Sequence, residues 1–186
     1  MRFRKDEVLF TSDLHLDHKN ILKYCPNRKF NSITEMNDGI ISNWNSRVKS
    51  TDTVFVLGDF AFTNFRRMKE FRNQMNGTIH LILGNHDAEF PEGLFASVRD
   101  YREITVDGQM IVMSHYPFVV WNRSHRGSYN LHGHCHGTLP DDKHALRMDV
   151  GIDCHPKLMP FNTTEIDNHM KQKDWKPVDH HDKETK

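Results

Sequence analysis

The chain reads as an α/β domain, and three observations predict it. Seven short apolar runs are rich in β-branched and aromatic residues, helical patterns alternate with the first three, and Asp107-Gly108 makes a two-residue turn between two of the later ones. The runs cover residues 8–12, 53–57, 78–83, 104–106, 110–114, 128–132 and 146–150. Each is short and bounded by turn residues, as expected of strands buried on both faces.

The helices follow from spacing. Residues 19–24 predict a short helix stopped by Pro26. Ser32 with Glu35 three residues later is a capping-box signature. Beyond it Met36, Ile40, Ile41, Trp44 and Val48 recur at helical spacing, which predicts a helix over 33–49. A further helix is expected after Thr63 or Asn64, with Phe65, Met68 and Phe71 facing inward and Arg66 and Arg67 facing solvent. The first half is thus β-α-α-β-α-β, which argues for parallel strands with helices on the sheet faces. The second half is mostly strand with the Asp107-Gly108 hairpin, which argues for antiparallel pairing.

The 186 residues suit one domain, expected over 1–170, followed by a mobile polar tail over 171–186 in which His180 and His181 reflect composition. Lys+Arg 25 against Asp+Glu 25 leaves no net charge to steer the chain to nucleic acid or to a membrane. Cys25, Cys135 and Cys154 form no Cys-x-x-Cys pair or even disulfide framework, so reduced thiols in a cytoplasmic protein are expected. No apolar run approaches the ~18 residues of a membrane span.

Five short signatures carry the chemistry: Asp13-x-His15, Gly58-Asp59, Gly84-Asn85-His86-Asp87, His115 and Gly133-His134-x-His136. Each sits where a predicted strand ends, the place at which an α/β sheet gathers a site. Carboxylate, imidazole and amide groups are hard or borderline ligands for divalent metals. A capping or turn role accounts for any one of them alone, but poorly for all seven ligand-type residues in order. Cys135 alternates with the two histidines and is expected to pack rather than ligate.

This ordered set resembles the calcineurin-like metallophosphoesterase superfamily, in its small single-domain bacterial and phage form. The resemblance spans roughly residues 7–168 and implies two mixed β-sheets packed as a sandwich and flanked by helices. It implies two divalent ions, manganese first, with iron, zinc, nickel or magnesium as alternatives. Asp13, His15, Asp59 and His136 would hold one ion. Asn85, His115 and His134 would hold the other, with Asp59 bridging. It further implies hydrolysis of a phosphoester by a metal-bridging hydroxide, with His86 at the leaving-group oxygen and Asp87 as its catalytic neighbour. Phosphoprotein phosphatases carry a second Asp three residues after that of Gly-Asp. Here that position is Phe62, which turns the expectation towards a phosphodiester or nucleotide substrate, or a nucleic acid. A small-molecule phosphomonoesterase is the nearest alternative; a non-catalytic scaffold or a closed structural metal site fits less well. Contacts to substrate are expected from His18, three residues past His15, and from Arg123, His125 and Arg126, in a polar-aromatic loop with Trp121 and Asn122. The side chain of His155 is left open between the site and a turn.

Overall fold

A computed structural model describes residues 1–87, 90, 92–176 and 178. Among the described residues ten strands form two five-stranded sheets. The first has the order β10(Phe161–Asn162), β2(Val8–Thr11), β3(Thr53–Val56), β4(Thr78–Ile82), β5(Ser97–Arg99). The second has the order β1(Arg2–Phe3), β6(Tyr101–Val106), β7(Gln109–Ser114), β8(Tyr129–His132), β9(Arg147–Asp149). This is the two-sheet sandwich flanked by helices that the resemblance implied.

Alternation along the strands builds two cores. Val8, Phe10, Phe55, Leu57 and Ile82 point between the sheets, where they meet Ile104, Ile111, Met113 and Leu131. Their sequence neighbours Leu9, Val54, Val56, Ile79 and Leu81 point the other way, onto α2(Ile33–Arg47) and α3(Phe65–Gln74). Met36, Ile40 and Trp44 of α2 and Phe71 of α3 are buried there, as is Ile21 of the short α1(Ile21–Tyr24). Phe65 departs from the expectation and is exposed, because Asn64 caps α3 and leaves Phe65 at the helix start, ahead of the stripe that faces the sheet. Arg66 is open to solvent, whereas Arg67 pairs with Asp17 and Glu70. At the start of α2, Ser32 accepts from the Glu35 amide, but the Glu35 carboxylate turns to the Asn31 amide.

The pairing of the second half differs from expectation. The β6–β7 hairpin is antiparallel, as is the pairing of β10 with β2, but β1–β6, β7–β8 and β8–β9 are parallel. Parallel neighbours need long crossovers, and the chain supplies them in residues 115–128 and 133–146. In consequence β2, β3, β4, β7 and β8 all deliver their C-terminal ends to one edge of the sandwich. There an isolated parallel bridge joins Ser12 to Gly151, and the Ile152 amide donates to the Ser12 carbonyl, so the two sheets are stitched together where the signatures lie.

Two short edge strands, β1 and β10, and α4(Thr163–Met170) carry no periodic run long enough to predict them, although Asn162 and Glu165 form a complete capping box. Of the residues expected to form a tail, 171–176 lie against the domain. Lys173 Nζ bonds Asp141 and the Arg147 carbonyl, and the Lys176 amide bonds the His144 carbonyl, holding residues 171–176 on the domain. His180 and His181 lie outside the described residues. Among the described residues no helix is long and apolar enough to cross a membrane.

Candidate metal centre

Five of the predicted ligands sit in left-handed backbone: Asp13 (φ 57°), His15 (φ 49°), Asp59 (φ 55°), His134 (φ 68°) and His136 (φ 47°). Such conformations cost a non-glycine residue on the order of 1–3 kcal/mol each and persist where the surrounding structure imposes them. Here backbone bonds impose them: the Asp13 amide donates to the Gly58 carbonyl and the His15 amide to the Asp59 carbonyl, each at 2.9 Å. Two glycines make room. Gly58 has φ 103°, and a Cβ there would lie 2.2 Å from His115 Nδ1. Gly84 has no positive φ; its role is close approach, since a Cβ would lie 2.2 Å from Asp59 Oδ1.

The side chains converge as two groups about Asp59. Asp59 Oδ2 lies 3.5 Å from His15 Nε2 and 3.7 Å from His115 Nε2. On one side, Asp13 Oδ1 lies 4.0 Å from His15 Nε2 and 3.9 Å from His136 Nε2, and the rings of His15 and His136 stack at 5.1 Å. On the other, Asn85 Oδ1 lies 3.0 Å from both His115 Nε2 and His134 Nδ1. Ligand atoms of Asp13, His15 and His136 lie within 4.8 Å of one another, as do those of Asp13, Asp59 and His115.

The electrostatics fit cations. Asp13, His15, Asp59 and His115 are buried. Asp13 Oδ2 accepts from the His134 amide at 2.9 Å, while Asp13 Oδ1, also buried, has no hydrogen-bond partner among the described residues. A buried carboxylate oxygen left without a partner costs free energy unless a cation meets it. Burial pushes the Asp13 carboxyl up to about 7. Burial and the charges of His136 and Arg28 push His15 down to about 2, leaving a neutral imidazole with a free lone pair. The other ring nitrogens are engaged: His115 Nδ1 on the Leu57 carbonyl at 2.8 Å and His136 Nδ1 on Asp153 Oδ2 at 2.7 Å, which presents Nε2 of both rings to the centre.

Sequence reasoning missed the support beneath these ligands. Arg28, fully buried, forms a two-pronged pair with Asp153, with both contacts at 2.7 Å. It also donates to the carbonyls of Asp13 and Leu14. One guanidinium therefore pins the Asp13–His15 turn and the carboxylate that orients His136. Asp149 accepts from the amides of Gly137 and Gly151 and braces the loop after His136. Cys25 Sγ sits 3.4 Å from His136 Nδ1. In the sequence Asp153 was marked only as an acidic residue soon after the predicted strand 146–150, and Asp149 as one within it; nothing local marked Arg28.

The remaining predicted residues divide. The His86 ring is exposed at the cleft, 5.5 Å from the His15 ring, and its amide donates to Asp59 Oδ1. Asp87 is not arranged as a partner of that ring. Its Oδ2 accepts from the Asp59 and Gly84 amides and its Oδ1 from the Phe60 amide, so it ties two signature turns together. His18 lines the cleft beside His15. Arg123, His125 and Arg126 are not brought there: the 3-10 turn Ser124–Arg126 precedes β8, and Gly127 is tied to Gln109 at the start of β7, the far end of the sheet from His115 and His134. His155 is buried against Phe161 and Glu165. Cys135 borders the cleft with its thiol pKa raised by burial.

The sandwich and its clustered ligands define a metal-binding α/β protein of the phosphoesterase type. Residues 7–185 match the model of the calcineurin-like phosphoesterases, and the chain belongs to that family. It is 35% identical over 144 residues to an uncharacterised protein, MJ1445, of Methanocaldococcus jannaschii, covering 76% of this chain and 75% of that one. It is 26% identical over 201 residues to the Gene 66 protein of Mycobacterium phage L5, covering 89% and 96%. The crystal structure of a protein of unknown function, AQ665 from Aquifex aeolicus, shares the fold with a TM-score of 0.66 at 24% identity, covering 87% of this chain and 98% of that one.

Proposed function

We propose that the protein is a dinuclear-metal phosphoesterase acting on a phosphodiester or nucleotide. The position of the Asp59 carboxylate between His15 Nε2 at 3.5 Å and His115 Nε2 at 3.7 Å carries this reading. A carboxylate so placed would be available as a ligand shared by two divalent ions. Asp13, His15 and His136 complete one site, and Asn85, His115 and His134 the other. The donor set lacks thiolate, which suits manganese among the mixed N/O metals.

When bound, the two ions supply an acidified water and neutralise charge on the phosphoryl oxygens. The chain's own groups do the rest. Arg28 and Asp153 hold the His136 tautomer, the Leu57 carbonyl holds that of His115, and the burial of Asp13 and Asp59 strengthens their attraction for cations. His86, exposed at the rim, donates a proton or hydrogen bond to the departing oxygen. Phe62 at the third position after Asp59 leaves His86 without the carboxylate that phosphoprotein phosphatases place there, which favours a diester or nucleotide over a phosphoprotein.

The test is metal analysis after reloading the protein with Mn²⁺, together with a hydrolysis panel. The panel compares p-nitrophenyl phosphate, bis-p-nitrophenyl phosphate, cyclic nucleotides, dinucleoside polyphosphates and short nucleic acids. Two ions per chain and fastest turnover of a diester or nucleotide are expected. One ion per chain would sink the dinuclear assignment; preference for the simple monoester would move the substrate to small-molecule phosphomonoesters.

A further inference from the structure

We propose that the cleft wall beyond His86, built from Phe62, His18 and Tyr24, is a stacking subsite for a nucleobase, so that the alcohol released from phosphorus is a nucleoside. The second half of this statement rests on the phosphoesterase reading. The subsite itself does not.

The wall belongs to the same cavity as Asp59, Asn85 and His86, a cleft of about 620 Å³, which is ample for a mononucleotide. The His18 ring lies 4.9 Å from that of Phe62 and 6.3 Å from that of Tyr24, and Phe62 lies 5.7 Å from His86. The aromatic wall therefore starts where the leaving group must sit. Phe62 is 53% exposed and Tyr24 68% exposed. The backbone at Phe62 is nevertheless tied down: its amide donates to the Leu16 carbonyl at 2.8 Å, beside the Leu16–Ala61 bridge. An aromatic ring on a fixed backbone, half open to water and edged by a second aromatic, is a preformed platform for a flat ligand.

The polar neighbours choose the ligand class. His18, His86, Asn20 and Thr138 border the same cavity. An acyl chain would strip water from these groups and return no hydrogen bonds. A base offers a π-face to Phe62 and Tyr24, and ring nitrogens and exocyclic groups to the imidazoles and amide. Among the described residues no Lys or Arg lines the cleft, which disfavours a long polyanion and points to a mono- or dinucleotide. In the reaction so defined, water supplies OH to phosphorus, the P–O bond to the nucleoside breaks, and the nucleoside oxygen takes the proton.

The test uses the EDTA-treated full chain and two neutral probes, adenosine and ribose, read by saturation-transfer NMR. Saturation concentrated on the base protons of adenosine, with little on ribose, is expected. Phe62→Ala and Tyr24→Ala should each weaken adenosine binding about 5-fold or more while melting as the wild type does. Phe62→Leu, which keeps apolar bulk without a π-face, should behave like Phe62→Ala. Equal saturation of ribose and adenosine, or unchanged adenosine binding in both alanine variants, overturns the subsite. Because no turnover is needed, base-dependent binding beside an empty hydrolysis panel would keep the subsite and remove the phosphoesterase reading. Hydrolysis with no preference for the base would do the reverse.

Discussion

The Asp153 carboxylate lies 2.7 Å from Nδ1 of His136 and is itself gripped by the buried guanidinium of Arg28. The relationship makes the orientation of a candidate ligand depend on an ion pair between residues 125 positions apart. Burial resists ionisation of Asp153, but the hydrogen bonds from Arg28 and His136 outweigh it and hold the carboxyl well below the usual range. A depressed carboxylate stabilises the fold fully above about pH 4, and the contribution is lost only as pH falls through the lower folded value.

Asp153→Asn should therefore act twice at neutral pH. It leaves Arg28 buried and unpaired, at a cost of about 3–5 kcal/mol seen in thermal or denaturant unfolding. It also frees the His136 ring, lowering metal affinity roughly 10- to 100-fold by calorimetry. Wild-type affinity in the folded variant would disprove the orienting role.

In the metal-free protein two of the predicted ligands, Asp13 and His136, have folded pKa values above their unfolded ones. Burial pushes Asp13 up to about 7; His136, despite burial, is carried up to about 10 by its bonds to Asp153 and Cys25. For Asp13 the folded state keeps a proton that the unfolded chain has released, so stability falls as pH rises from about 4 to 7. The His136 contribution is full below about pH 6.5 and disappears as pH rises through about 10. His15, lowered to about 2, has the opposite slope below about pH 6.5. The EDTA-treated protein should thus melt at progressively lower temperature from about pH 7 to 10. The gain in Tm on adding metal should widen over the same range, because ions take deprotonated Asp13 and neutral His136. A pH-independent gain contradicts their assignment as ligands.

Metal counting separates the two sites. Asp59→Asn, which weakens the shared ligand, should lose both ions and lower turnover more than about 100-fold. His136→Ala and His134→Ala should each retain one ion, on opposite sides of Asp59. Loss of both ions in each histidine variant would show a single cooperative cluster instead.

His86→Ala should distinguish leaving groups. With p-nitrophenolate, which departs without a proton, turnover should fall less than about 10-fold; with an alcohol leaving group it should fall roughly 10²–10⁴-fold. Equal losses on both substrates would reassign His86 to binding rather than proton donation.

The parts of this molecule written locally were readable in advance. Strands β2, β3, β4, β7 and β8 announce themselves because both faces are buried, and α2 because its apolar stripe and Ser32 cap lie in one window. The gathering of Asp13, His15, Asp59, Asn85, His115, His134 and His136 at one edge was legible because each follows a strand and carries a ligand-type atom. Asn162 and Glu165 offered the same capping signal as Ser32 and Glu35, but α4 has only eight residues and too short a stripe to stand out. Loop 122–128 has the composition of a binding loop. It lies at the wrong end of β8 because strand direction, not composition, sets which edge a loop occupies.

Ligand types and their order along the chain are thus properties of the sequence itself, since each depends on a few adjacent residues. The tertiary structure alone decided how they are held. It placed Arg28 under Asp13 and against Asp153, put Asp59 between two histidine groups, forced five candidate ligands into left-handed backbone, and left Phe62 and Tyr24 open in the cleft that holds His86. These are contacts between distant segments whose free energy depends on burial and on the meeting of two sheets. No short-range pattern encodes either.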